Sequence, residues 1–237
     1  MLLLFCCYYD FNQLTGVSTS CFALQVPISF DFMIDIDLLL SWGATYKKVQ
    51  RNDIIFFEGS HANFYYQLVS GKVRWVSINE EGKEFIQMMV EEGESFGELP
   101  LFDDAPYAAT AIADENCVII RLHNSSFLQL IHDNADIHFA FTRLFSQRLR
   151  FKFLTIKVLA TLNPEQRISA LLNYFKQHQR HTCPKCNRIN LTRQQIADMT
   201  GLRVETVIRS MRHLHDKGLL TIEKGKVYCS GIITSLI

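Results

Sequence analysis

The chain has 237 residues, 48% of them hydrophobic, and its 24 Lys and Arg balance its 24 Asp and Glu, so the formal net charge is zero. That length and apolar content suffice for the buried cores of two ordinary domains. The seven cysteines follow no regular spacing, which excludes a disulfide framework and favours free thiols in a reducing compartment. We therefore expect a cytoplasmic protein.

The charge is unevenly distributed. Residues 1–160 contain 12 Lys and Arg against 19 Asp and Glu, whereas residues 161–237 contain 12 against 5. This asymmetry is typical of an acidic module joined to a nucleic-acid-binding module. The apolar opening MLLLFCCYY has no basic residue and meets Asp10 too early for a spanning helix. We expect a packed or disordered tail there, and no membrane partner.

The first half of the chain is rich in β-forming residues. A short helix is predicted at 34–42, with Ile36, Leu39 and Leu40 facing inward. From Ala44 to Leu122, runs of β-branched and aromatic residues are separated by glycine-containing turns at intervals near ten residues. This pattern predicts an antiparallel barrel or sandwich.

One stretch of this half carries a binding motif. GESFGELPLF begins at Gly93, and PYAATA begins at Pro106. The pair resembles the phosphate-binding cassette of cyclic-nucleotide-binding domains, in which backbone amides bind a phosphate, a Glu binds the ribose hydroxyl and an Arg neutralises the anion. The resemblance implies an effector pocket formed by Gly97, Glu98, Leu99, Tyr107, Ala108 and Ala109, with Lys152 and Phe153 from the following helix.

The cassette lacks its cation. Tyr107 stands where the family has the Arg, and Tyr cannot neutralise a cyclic phosphate diester. Lys152 and Phe153 stand where the family has small hydroxyl residues that bond adenine. We therefore expect an unidentified small effector other than cAMP, or none, and no cofactor is identified. Glu98 can alternatively serve as an acceptor for backbone amides.

Residues 135–160 contain neither Gly nor Pro and predict one long helix. Its apolar residues alternate at spacings of four and three, the pattern of a coiled-coil seam with polar interruptions. The predicted seam contains Ile137, Phe141, Leu144, Arg148, Phe151, Thr155 and Val158. A parallel homodimer is the expectation, and packing of this helix on its own barrel is the alternative. Asn163 and Pro164 then end the helix and begin the next, predicted to continue to Gln177.

A histidine and cysteine cluster follows. His178, His181, Cys183 and Cys186 include a Cys-Pro-x-Cys knuckle that brings two thiolates together. One such knuckle is only half of a zinc site, so no metal is predicted. Three alternatives remain for these residues: a zinc site, a redox-active dithiol, or ordinary hairpin residues with no chemical role.

The segment from Leu191 to Tyr228 has the layout of a winged helix-turn-helix. Thr192 and Gln195 form a capping-box pattern that starts a helix at Arg193. Gly201 supplies the turn to a second helix, and Gly218 ends that helix. The second helix has an apolar stripe composed of Val204, Val207, Ile208, Met211 and Leu214. A short hairpin over 219–228 completes the predicted wing.

The opposite face of the second helix is suited to a major groove, because Arg binds guanine edges, Glu accepts from cytosine and Thr bonds either bases or phosphate. Lysines on the wing can follow phosphates. The predicted DNA-binding residues are Thr192, Arg193, Arg203, Glu205, Thr206, Arg209, Arg212, Lys224 and Lys226. A solvated helical hairpin is the alternative.

Residues 203–209 resemble the recognition helix of the Crp/Fnr family of bacterial transcription regulators, matching its Glu and second Arg. Val204 replaces a base-contacting Arg of the catabolite-activator branch, and Arg203 replaces its usual Ser cap. The resemblance implies an α+β protein with an effector-sensing, jelly-roll-like β-barrel domain (1–134), a dimerisation helix (135–160) and a DNA-binding domain (161–237). It also implies double-stranded DNA, RNA polymerase and a small effector as partners.

Two other functions are compatible with the sequence: a ligand-sensing module that acts on a protein partner, and a thiol- or metal-responsive regulator that uses Cys183 and Cys186. No arrangement of nucleophile, base and acid indicates an enzyme.

Overall fold

The computed structural model describes residues 34–229, so the predicted N-terminal tail lies outside the described residues. The helices are α1 (Ile36–Ser41), α2 (Pro100–Asp103), α3 (Asn124–Asp133), α4 (Ala135–Thr161), α5 (Pro164–Gln177), α6 (Arg193–Thr200) and α7 (Val204–Asp216). The strands are β1 (Thr45–Val49), β2 (Ile54–Phe56), β3 (Phe64–Ser70), β4 (Val73–Ile78), β5 (Glu84–Val90), β6 (Ser95–Phe96), β7 (Thr110–Ala113), β8 (Cys117–His123), β9 (Thr221–Glu223) and β10 (Lys226–Tyr228).

The antiparallel β domain predicted from the first half is confirmed. Its eight strands form two four-stranded sheets, ordered β1-β8-β3-β6 and β2-β7-β4-β5. The apolar core between them includes Phe56, Leu68, Phe96 and Ile119. At the start of the domain, Leu39 of α1 is fully buried, but Leu40 is exposed, contrary to the prediction. The reason is that a helix of six residues presents only one narrow face to the core.

The long helix predicted at 135–160 is confirmed as α4, but the predicted coiled-coil seam is wrong. Phe141 and Leu144 are buried in the β-domain core, and Phe151 packs on Tyr174 of α5 with ring centroids 4.8 Å apart. That face of the helix therefore contacts its own chain, as the alternative reading held. Apolar residues spaced alternately by four and three identify a buried stripe on a helix, but the spacing does not show which surface packs against that stripe.

The exposed apolar residues of α4 form a different stripe. Phe139, Leu149, Phe153 and Ile156 are all more than half exposed. With Thr142 and Ser146 they follow the same alternation of three and four, shifted two residues from the predicted seam. A shift of two residues turns the helix by roughly 200°, so this stripe lies on the side away from the β domain.

The C-terminal domain is built from α5, α6, α7 and the β9–β10 wing. Its core includes Leu172, Ile196, Val207 and Met211, and the same cluster contains Ile86 of β5. The two domains therefore share one continuous apolar cluster. No helix within residues 34–229 combines the length and apolar character that a membrane span requires.

Candidate nucleic-acid interface and effector cavity

The helix-turn-helix forms as its sequence signals predict. Thr192 Oγ1 accepts from the backbone N–H of Gln195 at 3.1 Å, and Gln195 Oε1 accepts from the Thr192 N–H at 2.7 Å. This reciprocal capping box begins α6 at Arg193. Gly201 ends α6 with φ of 65°, a left-handed conformation that glycine adopts without a steric penalty. The turn then directs α7 across α6.

Most of the predicted stripe of α7 is buried. Val207, Met211 and Leu214 are fully buried and Val204 is partly buried, whereas Ile208 is 40% exposed, contrary to the prediction. Ser210 takes its place among the buried residues. The 13-residue helix therefore presents a narrow apolar face, and the rest of its surface is available to a partner.

The predicted DNA-binding residues fall into two groups. The first group lies on α7, at its N-cap and on the wing, and is exposed: Arg203, Glu205, Arg209, Arg212, Lys224 and Lys226, with Thr206 partly exposed. Thr192, in the second group, is also exposed. Thr192 and Arg193 instead take part in structure: Thr192 caps α6, and Arg193 Nη2 donates to the carbonyl of Gly225 in the wing turn at 3.4 Å. Partial burial lowers the pKa of Arg193.

The far end of α7 is held to α5. His213 Nδ1 bonds Glu165, and Lys217 Nζ donates to the other carboxylate oxygen of Glu165 at 3.1 Å. Hydrogen bonding from His213 lowers the pKa of Glu165. His213 and Lys217 at the C-terminal end of α7 therefore stabilise the domain, whereas Arg209 and Arg212 are exposed without such a contact among the described residues.

The start of α7 lies next to the β domain. An open cleft of about 460 Å³ is lined by Lys83 and Glu84 on one side and by Arg203, Val204 and Glu205 on the other. Gln195 of α6 donates to Asp114 at 2.9 Å. In this conformation the first turn of α7 therefore faces the β4–β5 hairpin.

The cassette residues gather around a cavity of about 190 Å³. Of the predicted pocket, Gly97, Leu99, Tyr107, Ala108, Ala109 and Lys152 line it, together with Phe56, Trp75, Gln87 and Pro100. Phe153 does not line it, because its position on α4 turns it outward, where it is 62% exposed. The assignment of Phe153 to the pocket was therefore wrong.

Glu98 does not line the cavity either. It is fully buried, and Arg148 of α4 donates to its Oε1. The other end of the Arg148 guanidinium donates to the Ser95 carbonyl at 2.7 Å, and its plane lies 5.6 Å from the Trp75 ring centre. Burial lowers the pKa of Arg148 to about 10. The carboxylate that a ribose would need is therefore already bound by the chain's own arginine.

Tyr107 is fixed by an aromatic stack. Its ring lies parallel to that of Phe56, with centroids 3.8 Å apart. Gly97 packs against both rings at a φ of 71°, and a Cβ added there would meet Phe56 Cε1 at 2.7 Å. Burial raises the pKa of Tyr107, so its hydroxyl stays neutral. The packing of these two rings therefore requires a residue without a side chain at position 97.

Lys152 supplies the cavity's positive charge. Its Nζ donates to the carbonyl of Gln87 at 3.3 Å and to Gln87 Oε1 at 2.5 Å. Burial, and next the repulsion of Arg148, lower the pKa of Lys152 to about 8. Among the described residues the indole N–H of Trp75 is buried without a hydrogen-bond partner. The cavity therefore has aromatic walls and one cation, Lys152, whose pKa is lowered.

The histidine and cysteine cluster does not converge. His181 is buried and pairs with Glu91 at 2.9 Å, while the His178 ring packs at a tilt against Tyr174. Cys183 and Cys186 lie in the turn of a hairpin closed by the Thr182–Ile189 bridge. Within residues 34–229 no group of three or more His, Cys, Asp or Glu side chains is placed to hold a metal ion.

Sequence reasoning missed the contacts that join the domains. Arg180 makes a two-pronged ion pair with Glu94 at 2.7 Å for each bond, and donates to the carbonyl of Met89 at 3.1 Å. Both side chains are buried. Glu94 lies in the cassette stretch, but Arg180 lies in no motif and is 86 residues away, so no local signal could have identified the pair.

A cyclic-nucleotide-binding-type domain followed by a winged helix-turn-helix defines a DNA-binding transcription regulator. The family model of the cyclic nucleotide-binding domain matches residues 46–134, and that of the Crp-like helix-turn-helix domain matches residues 166–230. The cAMP-activated global transcriptional regulator CRP of Pasteurella multocida is 31% identical over 191 residues, which cover 78% of this chain and 91% of that protein. The chain belongs to the Crp/Fnr family of transcription regulators.

Two solved structures of low identity have the same fold. FixK2 from Bradyrhizobium japonicum aligns with a TM-score of 0.69 at 20% identity, covering 80% of this chain and 93% of that one. The c-di-GMP responsive global regulator CLP of Xanthomonas campestris aligns with a TM-score of 0.67 at 21% identity, covering 82% and 99%. The predicted α+β architecture with a C-terminal helix-turn-helix is therefore confirmed.

Proposed function

We propose that the chain is a cytoplasmic homodimer that binds a two-fold symmetric DNA site through α7 and the wing and acts on RNA polymerase. The observation that carries the proposal is the exposure of the charged side chains of α7, its N-cap and the wing: Arg203, Glu205, Arg209, Arg212, Lys224 and Lys226. In this role Arg209, Glu205 and Thr206 read base edges, and the lysines of the wing hold phosphates. Arg212 and Arg203 flank them.

The exposed stripe of α4 is the proposed dimer contact. Phe139, Leu149, Phe153 and Ile156 repeat with the heptad alternation of a two-stranded coiled coil. Exposed apolar residues in such a row mark an interaction surface. Pairing two copies along α4 places the two recognition helices to enter successive major grooves, ~34 Å apart.

The proposed dimer contact can be tested by introducing negative charges into the exposed stripe of α4. Replacing Leu149 and Phe153 together by Glu should convert the dimer to a monomer in sedimentation velocity, because two like charges would face each other across the seam. Ile78→Glu, at an exposed apolar position of the β domain, is the matched control and should remain dimeric. A dimer that survives the double change would refute this contact.

The effector is proposed to be a compact, partly aromatic molecule with a hydrogen-bond acceptor. The cavity of about 190 Å³ is smaller than the roughly 300–1,000 Å³ of typical ligand pockets. Such a ligand can stack on Tyr107 and accept a hydrogen bond from Lys152. Its binding would shift the population between conformations that differ in how α7 faces the β domain.

DNA binding is the direct test of the function. The affinity for a specific duplex should fall steeply with salt, and a random duplex should bind more weakly at every salt concentration. An affinity that is insensitive to salt would instead favour the module that acts on a protein partner. Selection of bound sequences from a random library would supply the specific duplex.

A further inference from the structure

The Cys183–Cys186 turn has no part in the DNA surface or the effector cavity. We infer that these two cysteines form a reactive dithiol that a hydroperoxide oxidises to a disulfide and that small thiols reduce again. The inference goes beyond the proposed function and does not depend on the identity of the effector. It stands on how the turn places the two sulfur atoms and on their exposure.

The hairpin turn holds the two thiols together. Cys183 N–H donates to the Arg188 carbonyl and Asn187 N–H donates to the Cys183 carbonyl, each at 2.8 Å. These bonds close a tight turn over residues 183–188, with Pro184 further restricting it. Cys183 and Cys186 stand three residues apart at the two ends of this turn, which brings their Cα atoms within roughly 7 Å of each other. That separation is compatible with a disulfide.

The surroundings favour a thiolate at Cys183. Its pKa lies below that of an ordinary thiol, first because the Cys186 thiol donates to it and then because the backbone N–H groups of Cys186 and Lys185 also donate. A thiolate is the nucleophilic form of cysteine, and low-pKa accessible cysteines with a neighbouring thiol are the ones that oxidants reach. Cys183 is partly exposed and Cys186 is exposed.

The other two cysteines within residues 34–229 are unsuited to this chemistry. Cys117 is buried, and burial raises the pKa of its thiol. Cys229 is also buried, which raises its pKa to about 11. Both therefore stay protonated and shielded from an oxidant at neutral pH. They serve as internal controls in the same molecule.

The reaction balances with a hydroperoxide as oxidant. The Cys183 thiolate attacks the outer oxygen, the O–O bond breaks, and the alcohol (water from hydrogen peroxide) leaves after taking a proton, so that Cys183 becomes a sulfenic acid. The Cys186 thiol then attacks the Cys183 sulfur, the S–O bond breaks, and water leaves with the thiol proton. The two thiols lose two electrons and the peroxide gains them.

The turn lies between the two domains and the wing. On one side, Arg180 and His181 bond Glu94 and Glu91 of the β domain. On the other side, Ile189 N–H donates to the Val227 carbonyl of β10 at 2.8 Å. Oxidation therefore alters an element that contacts both the sensing domain and the wing.

Peptide mapping tests the inference on the full chain. Trypsin cuts after Arg180, Lys185 and Arg188, so the two cysteines leave on separate peptides, 181–185 and 186–188, that stay joined only by a disulfide. After treatment of the reduced protein with hydrogen peroxide and alkylation of free thiols, we expect this linked pair. Dithiothreitol should return both peptides to the alkylated form, and the peptide that contains Cys229 should stay reduced throughout.

Two variants separate the roles of the sulfurs. In Cys186→Ser, Cys183 should accumulate as a sulfenic acid that dimedone captures. In Cys183→Ser, oxidation should be at least about tenfold slower, because the thiolate stabilised at position 183 is no longer present to attack the peroxide. Failure of the linked pair to form, linkage of 181–185 to another cysteine peptide, or stoichiometric zinc in the purified protein by elemental mass spectrometry would each overturn the inference.

Discussion

The cassette and the recognition helix both carry charged side chains at motif positions, but they use them in opposite ways. In the cassette, Glu98 is fully buried and bonded to Arg148 of α4. On α7, Arg209 and Arg212 are exposed. A charge left in water is available to a partner, whereas a buried charge must be paired inside the fold. The comparison separates residues that are available to a partner from residues that hold the fold together.

Burial therefore changes what a motif match implies. Glu98 matches the cassette pattern, yet its partner is an arginine on the central helix, so it ties the β domain to α4. Tyr107 departs from the pattern and packs with Phe56 and Gly97 as part of the β-domain core. The retained and the altered positions of the cassette both contribute to packing, and the cavity beside them is left with Lys152 as its cation.

Breaking the buried pair should have the largest effect. Arg148→Met leaves the Glu98 carboxylate buried without a counter-charge, so the free energy of unfolding should fall by about 3–5 kcal/mol. Urea unfolding at one fixed protein concentration measures it, because a dimer's stability depends on concentration.

The controls for this change lie on the same helix and at the partner position. Arg150→Met, at an exposed site of α4, should change stability by less than about 0.5 kcal/mol. Adding Glu98→Gln to Arg148→Met should recover a large part of the loss, because the amide carries no charge. Equal stability of the Arg148 and Arg150 variants would show that the pair does not support the fold.

Local signals in the sequence predicted most of the elements. The Thr192–Gln195 pair, Gly201 and Pro164 marked helix ends within a residue or so, because capping and backbone restrictions act over one turn. What failed needed knowledge of distant partners. Periodicity identifies the apolar stripe of α4 but does not show whether a second copy or the same chain packs against it, so the prediction of a dimer seam was wrong. The Arg180–Glu94 pair has no local sequence signature.

On the exposed side of the comparison, Arg209→Ala should cost ~1–3 kcal/mol of specific DNA affinity and relax the sequence preference at one base pair. The physical reason is loss of a bidentate contact to a base edge, which random DNA does not depend on. Titration of specific and random duplexes at one salt concentration measures both affinities. Equal loss on the two duplexes would assign Arg209 to phosphate instead.

Lys226→Ala should have a smaller and more uniform effect. A phosphate contact releases about one counterion, so all duplexes should weaken alike and the slope of log affinity against log salt should flatten by about one. Lys47→Ala, on exposed strand β1 of the β domain, is the matched control and should leave the slope unchanged. An unchanged slope for Lys226→Ala would remove the wing from the DNA contact.

The smallest expected effect is the binding of cAMP, which tests whether the buried residues of the cassette can accept a cyclic nucleotide. Glu98 is occupied by Arg148, Tyr107 brings no charge, and the cation of the cavity, Lys152, has its pKa lowered to about 8. Burying a cyclic phosphate with so little compensation costs several kcal/mol. Calorimetry on the purified protein should therefore detect no cAMP binding at micromolar concentrations.

Two variants test whether the missing cation is the reason that cAMP does not bind. Tyr107→Arg restores the cation but disrupts the stack with Phe56, so any gain in cAMP affinity should come with a lower unfolding midpoint. Micromolar cAMP binding by the unmodified protein would contradict the prediction. Lys152→Met would then identify the substitute cation: if the binding disappears in that variant, α4 supplies the charge that the cassette lacks, and the ion pair of Arg148 with Glu98 must open to admit the ribose.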